Sequence, residues 1–102
     1  MNEQKKFKVN KSLKEYVRNI LAREGISHRF REEDGQTFCL VSISGEKFHK
    51  IVKRAYCEKK TEETGILHLT YAESQDVNLS YGLMSLYKKS SFIVVGNQKE
   101  TN

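Results

Sequence analysis

Apolar and polar residues alternate on both sides of Asp34-Gly35, a dipeptide suited to the positive φ angles of a two-residue turn, and this pattern predicts a β-hairpin. With those two residues as the loop, Glu33 faces Gln36, Arg31 faces Phe38, Phe30 faces Cys39, Arg29 faces Leu40, His28 faces Val41 and Ile26 faces Ile43. Opposed residues share a face of a sheet. Ile26, His28, Phe30, Cys39, Val41 and Ile43 therefore form the expected core face, and Arg29, Arg31, Phe38 and Leu40 the other. After Ser44 and Gly45 the period changes to that of a helix, with Phe48, Ile51, Val52, Ala55 and Tyr56 along one stripe. Ser44 is the expected N-cap, and Glu46 lies where the helix dipole favours an acid.

Upstream, Ser12 and Glu15 match the S-x-x-E capping box, heading a helix with the stripe Leu13, Tyr16, Val17, Ile20 and Leu21. Gly25 should end it, with Ile26 folding back on Leu21. Residues 1–6 read as a flexible tail and residues 7–9 as a short strand. Downstream, residues 58–64 are polar and give no apolar stripe, residues 66–71 read as a strand, and residues 76–89 carry two conflicting periods. Val77, Leu79, Tyr81 and Leu83 alternate, whereas Leu79, Leu83, Leu86 and Tyr87 keep helical spacing. A helix capped by Ser74 or Asp76 is the preferred reading, despite Gly82. Residues 91–95 read as a last strand and residues 97–102 as a flexible tail.

The expected fold class is α+β. The first six elements follow the β-α-β-β-α-β order of a ferredoxin-like sandwich, an antiparallel sheet with two helices on one face, to which a C-terminal helix and short strand are added. One domain over residues 1–102 is expected, since a chain of 102 residues buries roughly two-thirds of its unfolded surface without staples. Cys39 and Cys57 have neither metal-ligand nor redox spacing. The polar opening and the lack of any apolar run of about 20 residues point to a cytoplasmic protein without a membrane partner.

Charge changes the picture more than composition does. Residues 1–60 hold 15 Lys+Arg and 8 Asp+Glu, a balance of +7, whereas residues 61–102 hold 3 and 5, a balance of −2. A basic N-terminal part concentrates polyanions, and it also keeps a small domain in solution. Two surfaces are candidates for nucleic acid. On the outer hairpin face Arg29 and Arg31 alternate with Phe38 and Leu40, offering cations for phosphates and an aromatic ring for an unstacked base. On the helices, Lys14 and Arg18 follow Lys11 along one ridge, and Lys47, Lys50 and Arg54 follow another. Each has a plain structural counterpart. Arginine stems can simply cover Phe38 and Leu40, the C-terminal helix can fold across that face, and charge rows opposite a core stripe are commonly solvated.

An enzyme reading has less behind it. His28, His49 and His68 fall on different elements, and Cys39 alternates with core residues. Phosphate-cradling Gly-rich loops, H-E-x-x-H and C-x-x-C are missing from the sequence. The sequence therefore leads to an expectation of a non-enzymatic binding or regulatory module, with no cofactor and no metal, whose first candidate partner is RNA or DNA. The alternative is a protein-interaction or homodimerisation module using the Leu79, Leu83, Leu86 and Tyr87 stripe or the strand at Phe92.

Overall fold

The computed structural model describes residues 3–95 and is a mixed α+β structure. It divides into two compact units, one running to Ala55 and the other beginning at Tyr56.

In the first unit, β1 (Lys5–Val9), β2 (His28–Glu33) and β3 (Gln36–Val41) form an antiparallel sheet in the order β1-β3-β2. Asp34 and Gly35 take φ of 51° and 75°, the left-handed pair that a tight hairpin turn requires. The β2–β3 register is the one expected from that turn, with Arg31 opposite Phe38 and Arg29 opposite Leu40. β1 begins at Lys5, so the last two of the six residues expected to be a tail are in the ladder, where Lys5 pairs with Val41 and Lys6 with Leu40. Alternation alone could not reveal this, because Lys5-Lys6 carries no apolar residue to mark a face.

α1 (Lys14–Arg23) and the first part of α2 (Gly45–Thr64) pack on the same side of this sheet. One apolar cluster joins Leu13, Val17, Ile20 and Leu21 to Phe48, Ile51 and Ala55 over Val9, Cys39 and Val41. Val17, Leu21, Cys39, Val41 and Ala55 are fully buried, and the rings of Phe7 and Phe48 stack with centroids 4.4 Å apart. Each ring of that pair buries a large apolar area, so the stack binds the edge strand to α2. Gly25 ends α1 with φ 71°, and the Ile26 amide returns to the Leu21 carbonyl at 2.9 Å.

Two helix boundaries differ from expectation. The Ser12–Glu15 capping box does not form. A 3₁₀ turn, Lys11–Leu13, precedes α1, and the Asn10 side chain accepts the Ser12 amide at 2.9 Å and the Ser12 hydroxyl at 2.7 Å. Glu15 turns instead to Arg18. α2 runs on through the polar residues 58–64 to Thr64, where Gly65 at φ 76° stops it. Glu and Lys favour helix without supplying an apolar stripe, and Thr61 supplies a tertiary tie. Its hydroxyl donates to the Cys57 carbonyl at 2.7 Å and accepts the His68 amide at 3.0 Å. Of the expected stripe Phe48, Ile51 and Ala55 are buried and Val52 is half-buried, while Tyr56 at its end is 41 % exposed.

In the second unit, β4 (His68–Thr70) pairs in parallel with β5 (Ile93–Val95), through a crossover of α3 (Tyr71–Ser74) and α4 (Val77–Tyr87). The expected fourth strand of a single antiparallel sheet is therefore placed differently: β4 belongs to a second, two-stranded sheet. It is also shorter than the six residues expected. Thr70 and Glu73 form a capping box, with the Thr70 amide donating to Glu73 Oε1 at 2.8 Å and the Glu73 amide donating to Thr70 Oγ1 at 3.1 Å. That box turns Tyr71 into a helix. Asp76 caps α4 by accepting the Leu79 amide at 3.0 Å, and Gly82 lies within the helix. Residues 97–102, expected to be a tail, lie outside the described residues. Among the described residues no helix is long and apolar enough to cross a membrane.

Because Asn10 supplies the cap, Asn10→Ala is expected to destabilise the protein by about 1 kcal/mol in urea unfolding, and Ser12→Ala by less. The reverse order would restore Ser12 as the cap.

Candidate nucleic-acid interface

Strand alternation sorts the first sheet into two faces. Phe7, Val9, Cys39, Val41 and Phe30 point to the helices. Lys6 and Lys8 of β1, Phe38 and Leu40 of β3, and Arg29 and Arg31 of β2 fall on the other face. Register arranges them in rows. Phe38 lies between Lys8 and Arg31, and Leu40 lies between Lys6 and Arg29. The rows are about 7 Å apart, two residues along a strand. Phe38 is half-buried and Leu40 is 7 % exposed, while the four cations are exposed. Lys6 and Lys8 are functional candidates that the hairpin pattern missed, because β1 carries only two apolar residues and its pairing partners lie about thirty residues away in sequence.

One acid works on this face. Lys6 Nζ donates to Glu33 Oε1 at 2.6 Å and lies 4.6 Å from the Phe38 ring centroid, and Arg31 Nη1 donates to Glu33 Oε2 at 3.3 Å. Glu33 thus joins the two edge strands across Phe38. The hydrogen bond from Lys6 holds the Glu33 carboxyl below the usual carboxylate range; desolvation opposes this and Arg31 adds to it. Lys8 and Arg29 have no hydrogen bond or ion pair among the described residues.

The helix ridges are arranged differently. Lys14 and Lys11 each stand 3.8 Å from a Glu32 oxygen, and Glu32 also accepts the Thr37 hydroxyl at 2.8 Å. Lys14 and Arg18 sit over the Phe30 ring at 5.7 and 5.3 Å, and Arg18 Nη1 bonds both Glu15 oxygens at 3.0 Å. Lys47 is 3.7 Å from Glu24. Lys50 is exposed and Arg54 is half-buried. Lys14, Arg18 and Lys47 therefore each have an acid within 4 Å, which weakens the combined field that a phosphate backbone would meet.

The histidines occupy separate settings. The half-buried His28 places Nδ1 2.8 Å from the Ile26 carbonyl oxygen, which can only accept, so Nδ1 carries the proton. His49 is exposed on α2. The buried His68 on β4 bonds the Ile66 carbonyl in the same way at 2.6 Å. No group of three or more His, Cys, Asp or Glu among the described residues could hold a metal ion. Burial pushes the Cys39 thiol up to about 11.

Replacing Lys6 by Ala should raise the Glu33 carboxyl toward its ordinary value in a carbon-detected NMR titration. The sign follows from a folded-state value held low: the stabilisation is present above the ordinary carboxylate range and is lost as pH falls through the lowered value. An unmoved titration would remove Lys6 as the cause. Cys39, buried and protonated, should resist maleimide at neutral pH in the folded chain and react once urea unfolds it, as read by peptide mass mapping.

Comparison of the chain with protein-family models, with curated proteins and with solved structures finds no match to any of them.

Proposed function

We propose that this protein is a small, non-enzymatic binding or regulatory module of the cytoplasm whose first unit holds single-stranded nucleic acid on the outer face of its sheet. The observation that carries the reading is the pair of rows Lys8–Phe38–Arg31 and Lys6–Leu40–Arg29. Cations on both edge strands flank an aromatic and an apolar residue on the central one, an arrangement that suits phosphates along the edges and a base against Phe38. The strand order, with α1 and α2 on the opposite side, supports a ferredoxin-like reading of this unit. A phosphate competes with Glu33 for Lys6 and Arg31, whereas Lys8 and Arg29 are available without such an exchange. The helix ridges take second place because acids already accompany Lys14, Arg18 and Lys47.

A protein-interaction or homodimer module is the second reading, and α4 favours it. Its eleven residues include no charged side chain, and Val77, Tyr81 and Leu86 are 63, 65 and 68 % exposed. A monomeric mass in light scattering would remove the obligate homodimer.

Lys8→Ala with Arg29→Ala is expected to weaken binding to labelled single-stranded RNA or DNA and to lower the slope of log affinity against log salt by about 1 to 2. Lys50→Ala with Arg54→Ala should change the slope less. A slope unaffected by the sheet-face pair and lowered by the helix pair would move the interface to the helices, and no binding by the parent chain would end the nucleic-acid reading.

A further inference from the structure

The outer sheet face continues past its last paired row into an open groove of about 570 Å³, lined by Gln4, Ile26, Ser27, His28, Arg29 and Ser42. Its position follows from the register. Lys6, Leu40 and Arg29 form the last row on this face, and one strand repeat further out the alternation reaches Gln4 before β1, Ser42 after β3 and Ser27 before β2. All three line the groove together with Arg29. The face thus changes character along its length. Two rows of cations around apolar centres give way to a row of an amide and two hydroxyls.

That change alters what the surface recognises. Cations bind phosphate with no regard to base identity, whereas amides and hydroxyls read base edges. Gln4 offers a donor and an acceptor on one planar group, and Ser27 and Ser42 each offer both. Ile26 and His28, whose side chains alternate to the helix-facing side, border the groove, and the His28 Nδ1 proton is committed to the Ile26 carbonyl. Among the described residues no acid lines the groove to repel a nucleotide. Its volume falls in the range of small-ligand sites.

Resting on the nucleic-acid reading above, we propose that this groove is the base-selecting subsite of the interface. It takes one nucleobase of a single strand whose neighbouring phosphate lies on Arg29, and Gln4, Ser27 and Ser42 bond the base edge. The rows with Phe38 and Leu40 supply base-independent affinity, and the groove supplies preference.

Fluorescence anisotropy with labelled A, C and U octaribonucleotides tests this on the full chain. The parent protein should distinguish the best from the worst homopolymer by at least about fivefold, the scale of one or two net hydrogen bonds. Gln4→Ala with Ser27→Ala, both exposed positions where folding is not at stake, should bring that ratio close to one and leave the salt slope unchanged. Lys8→Ala should weaken all three oligomers alike and preserve the ratio. Equal affinities in the parent chain, or a preference that survives Gln4→Ala with Ser27→Ala, would overturn the subsite while leaving salt-dependent binding intact. Absence of salt-dependent binding to every oligomer would overturn the interface itself, and the subsite with it.

Discussion

β3 is hydrogen-bonded on both sides, to β1 and to β2, and the faces of the first unit follow from its register. Thr37, Cys39 and Val41 point toward the helices and are buried, and Phe38 and Leu40 point away. A slip by one residue would send the cysteine and valine out and the phenylalanine in, so the core side resists it. Asp34 and Gly35, in left-handed conformations, hold the β2 side of this register. On the β1 side, Val9 opposite Thr37 and Phe7 opposite Cys39 make the same assignment, reinforced by the stack of Phe7 on Phe48. Everything on the outer face inherits its place from those two ladders.

The same geometry decides how a basic sequence presents its charge. On the helix side three acids stand beside cations: Glu32 beside Lys11 and Lys14, Glu15 beside Arg18, and Glu24 beside Lys47. Such exposed pairs contribute about 0 to 1 kcal/mol each to stability. Their larger effect is on the field, since a cation with a carboxylate at hand attracts a third group less. On the sheet side one acid, Glu33, meets four cations, and it draws on Lys6 and Arg31 only. Lys8 and Arg29 therefore stand beside Phe38 and Leu40 with no ion pair among the described residues, and the cation rows end at the groove.

The second unit shows a different balance. Its core is drawn from Cys57, Leu67 and Leu69, and polar residues complete it, with Thr61 bonding both the helix behind it and the strand ahead of it. α4 keeps helical spacing for Leu79, Leu83, Leu86 and Tyr87, but Leu79 and Leu86 stay exposed and Leu83 and Tyr87 are half-buried. Helical periodicity in an apolar segment thus identifies the helix without identifying what covers it.

The sequence by itself determined what depends on neighbours along the chain. The hairpin and its register, the stop of α1 at Gly25, the Ser44 start of α2 and the Asp76 start of α4 all rest on turn and cap chemistry acting within a few residues. The Thr70–Glu73 box was legible on the same terms and was hidden only by the apolar run before it. Of the candidate site, Arg29, Arg31 and Phe38 were legible because a single turn aligns them. Tertiary structure decided the rest. α2 continued through a polar stretch tied down by Thr61, and β4 paired with β5 in a separate parallel ladder. Lys6, Lys8 and the groove at Gln4 joined the outer face because a strand of mostly lysines paired with residues about thirty positions later. Local chemistry can align residues that share a turn, but only the closed sheet brings together residues that share none.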